Sequence, residues 1–168
     1  MDPLRPAILT LEQAILRFGR KERNGQRLVF TNGCFDLLHP GHIQTLEKAR
    51  QLGDVLLVGL NSDSSTRQFK GPGRPLIPEQ ERAEILAALE SVDAVVIFDE
   101  LTPRKVITQL VPDVLVKGGD WISDRIVGRE EVEARGGQVV STPVVAGYST
   151  SEILRKIRQG ATASGADS

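Results

Sequence analysis

A chain of 168 residues fits one domain, and 40% hydrophobic with 26% charged residues is the balance of a folded globular protein rather than a disordered one. Lys and Arg total 21 against 22 Asp and Glu, so a formal net charge of −1 argues against a general nucleic-acid or acidic-membrane binder, and 4% aromatics leave little for stacking a run of bases. One cysteine excludes an intramolecular disulfide framework and suits a reducing compartment, so the expected location is cytoplasmic. The start, Met1-Asp-Pro-Leu-Arg-Pro6, lacks the basic and apolar regions of a signal peptide, and the longest apolar run, Val55 to Leu60, is far too short to span a bilayer. No long-period repeat is visible.

In chain order, a Thr10-x-x-Gln13 box opens a helix expected to reach about Arg23, making 1–26 an N-terminal helical extension. Arg27 to Thr31 reads as a strand ending in the turn signal Asn32-Gly33. Pro40 suits a first helical position, with Ile43, Leu46, Ala49 and Leu52 recurring at three-residue steps. Asp54 to Leu60 is a near-continuous apolar strand, of the kind covered on both faces. Asn61 to Ile77 reads as a long polar connection, a type of loop that often carries function. Pro78 opens a helix with Ile85, Leu86 and Leu89, and Asp93 to Phe98 is the next strand. Thr102-Pro103 starts a helix carrying Val106, Ile107 and Leu110, followed by strands at Asp113 to Val116 and Gln138 to Ser141. Ser149-Thr-Ser-Glu152 has capping-box spacing before Ile153, Leu154 and Ile157, and 160–168 reads as a disordered tail. Strands alternating with crossover helices predict an α/β fold with a doubly wound, five-stranded parallel sheet over 27–159. Ligands in such sheets sit at the carboxyl ends of the strands.

Both histidines of the chain fall in His39-Pro40-Gly41-His42, where the first strand's loop becomes a helix. A helix N-terminus offers free N–H groups and partial positive charge to a phosphate. Gly41 lets a bulky anion approach the backbone, and residues three apart share a helix face, so His39 and His42 can address one ligand. Imidazole donates hydrogen bonds to phosphoryl oxygens and, when protonated, offsets developing charge. A lone histidine at a helix start is commonly a cap or surface residue, but two in one glycine-spaced turn favour the phosphate reading. With Cys34 they also offer three metal ligands, yet no fourth stands at a familiar spacing, so no protein metal site is expected. Gly71-Pro72-Gly73 is not a dinucleotide fingerprint and no P-loop exists.

The run Phe30-Thr-Asn-Gly-Cys-Phe-Asp-Leu-Leu-His-Pro-Gly-His42 resembles the HxGH signature of the cytidylyltransferase-like nucleotidyltransferases, over about Leu28 to Arg158. With Lys70-Gly-Pro-Gly-Arg-Pro75 and Val116-Lys-Gly-Gly-Asp-Trp121, it is most similar to the adenylyltransferase branch of ADP-heptose synthesis, in a stand-alone form. The resemblance implies a Rossmann-like fold and adenylyl transfer from ATP, with Mg²⁺, to D-glycero-β-D-manno-heptose 1-phosphate for the lipopolysaccharide core. It also implies a homodimer with no nucleic-acid or membrane partner. Its implied catalytic residues are His39, His42, Lys70 and Arg82. It implies nucleotide contacts from Thr31, Gly33, Cys34, Phe35, Gly41, Lys117, Gly118, Asp120, Tyr148, Ser149 and Thr150. Asn32, Asp36, Asp63 and Arg74 are the implied contacts to the sugar phosphate. Tyr148 departs from the isoleucine common at that place, and Cys34 stands where many relatives have threonine or serine. Lys117 is open to a structural or a phosphate-facing reading, and Trp121 to a core one. Two other readings stay open: a cytidylyltransferase for glycerol 3-phosphate or another small phosphate, and a nucleotide-binding module without turnover.

Overall fold

The computed structural model describes residues 7–119, 126–143 and 147–163, the side chains of 161–163 excepted. Asp120 and Trp121 lie outside the described residues. Thirteen elements follow in order: β1 (Ala7–Leu9), α1 (Leu11–Phe18), β2 (Leu28–Gly33), α2 (Pro40–Arg50), β3 (Val55–Asn61), α3 (Asp63–Lys70), α4 (Glu79–Ala87), β4 (Ala94–Phe98), α5 (Arg104–Leu110), β5 (Val114–Gly118), α6 (Arg129–Glu133), β6 (Gln138–Thr142) and α7 (Thr150–Ala163). The strands form one sheet in the order β1-β4-β3-β2-β5-β6, every pair parallel. The sheet therefore has six strands where five were expected. β1, with only three residues, is too short for its alternation to register as a strand, and it joins the N-terminal segment to the sheet through Ala7–Leu9 against Ala94–Val96.

Alternate residues of β2 to β6 enter two separate cores, one per face. Leu28, Phe30, Leu57, Val96 and Leu115 pack with Ala14 and Phe18 of α1 and with Val106, Ile107 and Leu110 of α5. Val29, Leu56, Val58, Val95 and Val116 pack with Leu46 and Ala49 of α2 and with Ala83 and Leu86 of α4. Aspartates before the strands tie neighbours together: Asp113 Oδ2 accepts from Leu28 N at 2.8 Å and Asp93 Oδ2 from Leu56 N at 2.7 Å. These pairings bring the strand ends on the opposite side of the sheet level with one another.

α1 stops at Phe18 rather than near Arg23. Arg23 is buried and donates to the Phe18, Leu110 and Val111 carbonyls and to Asp113, which needs the chain folded back, not helical. The polar connection expected after β3 contains α3. That helix has no apolar stripe to read: its buried residues are Ser65 and Thr66, and the Ser65 hydroxyl donates to the Glu100 carbonyl and accepts from Asn61. α7 runs through Gly160 to Ala163, into the segment expected to be a disordered tail. No helix among the described residues is long and apolar enough to cross a membrane.

Candidate functional site

Strand order reverses between β2 and β5, whose Thr31 and Val116 are in register. Two adjoining cavities open at the carboxyl ends of these strands, where a doubly wound sheet places ligands. The first, about 410 Å³, has cationic and apolar walls: Lys70 from the end of α3, Arg74 beyond it, and Phe69, Leu101 and Ile126. The second, about 320 Å³, is walled largely by glycine-rich backbone, with Tyr148 and His39 supplying rings. Asn32, Gly33, Cys34, Phe35, Lys117 and His42 line both.

The histidine turn is built as its residue types dictate. His39 is the N-cap of α2 with extended backbone, and Pro40 takes the first turn, where its missing N–H costs nothing. His42 N–H donates to the His39 carbonyl at 2.9 Å. The two imidazoles stack, centroids 3.8 Å apart and planes 20° from parallel. Both Nδ1 atoms are buried without a hydrogen-bond partner. An unpartnered acceptor lone pair is cheaper to bury than an unpartnered N–H, so the neutral tautomer carries its proton on Nε2. Burial, with His39 beside it, pushes the His42 pKa down to about 4, and burial lowers that of His39 as well. His42 is therefore a neutral hydrogen-bond donor in the ligand-free chain. Gly41 suits this packing: a Cβ there would crowd His39 Nδ1 at 3.0 Å and Tyr148 Cβ at 3.2 Å.

Across the strand reversal, Lys117 Nζ on β5 donates to Asn32 Oδ1 on β2 at 3.4 Å, and burial lowers the lysine's pKa. Thr150 opens α7, lines the first cavity and donates from Oγ1 to the Leu37 carbonyl. That bond ties the last helix to the loop before the histidines. Thr31, Gly41, Gly118 and Tyr148 line the second cavity. Tyr148 is 42% exposed, its ring 16° from the plane of His39 and 6.2 Å away.

Three of the expected contact residues stand elsewhere. Arg82 is 1% exposed and lines neither cavity: its guanidinium donates to the Ile77, Cys34 and Asn61 carbonyls and to Asp63 Oδ1 at 2.6 Å. Four of its five N–H groups are thus committed to these partners. Asp63 pairs with Arg82 through Oδ1 and lines neither cavity. Ser149 is a cap, its Oγ accepting from Glu152 N at 3.0 Å, and it too lies outside both linings. Asp36 reaches the first cavity, but its carboxylate accepts from Arg74 Nε, Leu76 N and Ile77 N. Burial works against that charge, yet the bonds from Ile77, Arg74 and Leu76 together hold its pKa below the usual carboxylate range. Sequence reasoning missed the apolar wall of the first cavity: Phe69 stands exposed on the otherwise polar α3, Leu101 is exposed outside any helix or strand, and Ile126 is a buried residue between elements, so none belongs to an apolar period. Ser151 was also missed, although its place in the Ser-Thr-Ser helix start could have marked it.

Residues 30–156 match the cytidylyltransferase-like family model. The chain is 61% identical over 138 residues to the bifunctional protein HldE of Citrifermentans bemidjiense, covering 82% of this chain and 28% of that one. It is 60% identical over 140 residues to the HldE of Geotalea uraniireducens, covering 83% and 29%. The chain thus spans less than a third of the length of these curated relatives. Among solved structures, a lipopolysaccharide core biosynthesis protein from Thermoplasma volcanium superposes with a TM-score of 0.60 at 28% identity, over 72% of this chain and 98% of that one. A pantoate-β-alanine ligase from Francisella tularensis, 15% identical with a TM-score of 0.57 over 82% and 66%, shares the fold alone. A family match spanning the histidine turn, both cavities and the start of the last helix leaves one conclusion: the chain belongs to the cytidylyltransferase-like family of nucleotidyltransferases.

Proposed function

We propose that this chain transfers the adenylyl group of ATP to D-glycero-β-D-manno-heptose 1-phosphate, giving ADP-heptose and pyrophosphate for lipopolysaccharide core synthesis. The observation that carries the reading is the place of His42, whose ring faces two cavities of different chemistry. The backbone-walled cavity, with Tyr148, suits a base and ribose held by Thr31, Gly33, Cys34, Gly41, Lys117 and Gly118. The cavity with Lys70 and Arg74 suits an anionic acceptor, with Asn32 on the shared wall for its hydroxyls. Thr150 and the N-terminus of α7 stand where a phosphate chain would pass between them. The HldE relatives and the lipopolysaccharide core biosynthesis neighbour support the heptose branch.

In this reaction an oxygen of the sugar phosphate attacks the α-phosphorus in line. The bond from that phosphorus to the bridging oxygen breaks, and its electron pair leaves with pyrophosphate. The nucleophile is anionic at neutral pH, so no residue has to remove a proton, and catalysis is positioning and charge stabilisation. His42, with His39 stacked behind it, donates to phosphoryl oxygens as charge builds there. Lys70 in the first cavity and Lys117 on the wall shared by both supply positive charge to the phosphates. Among the described residues no three His, Cys, Asp or Glu side chains stand together to hold a metal. With Asp36 already bonded, the donor set fits Mg²⁺ carried by phosphate oxygens and water, where it would neutralise phosphate charge. The same reading makes the enzyme cytoplasmic and homodimeric, and a one-chain mass in solution light scattering would remove the dimer.

Pyrophosphate release across nucleoside triphosphates crossed with sugar phosphates tests the proposal. ATP with heptose 1-phosphate should be the best pair, and His42→Ala should lower its rate at least ~10²-fold while leaving the fold intact. Faster turnover of CTP with glycerol 3-phosphate, or an undiminished rate in the variant, would overturn it.

A further inference from the structure

Phe35, between β2 and α2, has a left-handed backbone with φ 44°. A bulky residue holds that conformation only where its surroundings over-determine it. Here both neighbours are clamped. The Cys34 carbonyl accepts from Nη1 of Arg82, a side chain with no exposure. On the other side Asp36, its side chain 1% exposed, accepts from Arg74 Nε at 2.6 Å, Leu76 N at 2.8 Å and Ile77 N at 3.1 Å. Residue 35 is fixed from both directions, and the outcome is the direction of its ring. That ring leans on His42 with centroids 5.3 Å apart and planes at 59°, while His39 stacks on the same imidazole at 3.8 Å. Gly33 makes room for it, since a Cβ there would meet Phe35 Cε2 at 3.0 Å.

An imidazole in a working site is ordinarily oriented by a hydrogen bond to its second nitrogen. His42 has none: Nδ1 is buried and unpartnered. Its orientation has to come from packing. We propose that Phe35 is a positioning residue which aims His42 at the junction of the two cavities in place of that hydrogen bond, with Arg82 and Asp36 as the clamps that hold its backbone. As clamps, Arg82 and Asp36 take a share in the chemistry through Phe35, and the buried hydrogen bonding that converges on this loop serves that end. The effect on rate rests on the nucleotidyl transfer proposed above; the orientation of His42 does not.

The test compares Phe35→Leu, Phe35→Gly and Phe35→Tyr in the full chain, reading turnover and, by NMR, the titration of His42. Leucine removes the ring, and glycine also relieves the left-handed backbone and so guards against a leucine variant that fails to fold. Both should lower kcat about tenfold or more, as small misplacements of a reacting group do, with KM for ATP within about twofold. In both, the His42 pKa should rise from about 4 toward 6.5 as water reaches the ring. Tyrosine keeps the ring and should leave the His42 pKa near 4. An unchanged His42 titration in the leucine and glycine variants would overturn the proposal, as would a raised KM at unchanged kcat, which would make Phe35 a substrate contact. If the wild-type protein releases no pyrophosphate, the functional reading falls, and the His42 titration alone still decides the positioning.

Discussion

His39 and His42 lie ring on ring, 3.8 Å between centroids, on the first turn of the helix that faces both cavities. At that distance two imidazolium ions repel, so the ligand-free site holds at most one charge without a compensating anion. In the proposed reaction a triphosphate would supply that anion and favour proton uptake by the pair.

Folding stability should record the same arrangement. The folded chain holds the His42 pKa near 4, against 6.5 for an ordinary histidine, so between those values the unfolded chain binds more protons. Stability from this group is complete above about pH 6.5 and falls as pH drops toward 4. Thermal midpoints measured across that range should fall more steeply for the wild type than for His42→Asn, which has no proton to gain. Parallel curves would show that His42 is not held neutral.

Arg82 should matter first for stability. Arg82→Met leaves the Cys34, Asn61 and Ile77 carbonyls and the Asp63 carboxylate without their shared donor. Removing one member of a buried charged network costs about 3–5 kcal/mol, which urea denaturation would register directly. Arg82→Lys should recover little of it, because an ammonium on a flexible stem cannot reproduce the fork that reaches four acceptors. A methionine variant within about 1 kcal/mol of the wild type would refute the anchoring role.

Tyr148 gives a test of base recognition. Its ring, exposed at the mouth of the second cavity and near-parallel to His39, offers a flat face to a base. Stacking of this kind is worth about 1–3 kcal/mol and grows with ring area, so Tyr148→Ala should raise KM for ATP about tenfold and that for CTP less. Tyr148→Phe should behave as wild type in the same steady-state assay. Equal losses for both nucleotides would make the tyrosine a wall rather than a platform.

The chemistry-bearing turn was legible because its physics is local. A strand end, a proline at a helix start, a glycine where a Cβ would crowd its neighbours and two imidazoles one turn apart all follow from neighbours in the chain. The same holds for the alternation of apolar strands and capped helices that predicted a parallel sheet. What the sequence could not express is which polar groups are consumed by partners far along the chain. Arg82 and Asp63 have the residue types of phosphate and sugar contacts, yet Arg82 closes on carbonyls 21 and 48 residues away and on Asp63 Oδ1. The short strand β1 and the polar helix α3 were invisible for a related reason: each is fixed by tertiary pairing rather than by an apolar period. Residue type and short-range spacing determined that a glycine-spaced histidine turn stands at the mouth of an α/β sheet. Only long-range packing decided which side chains remain free to face a ligand, because a donor is available only when no buried carbonyl or carboxylate has already claimed it.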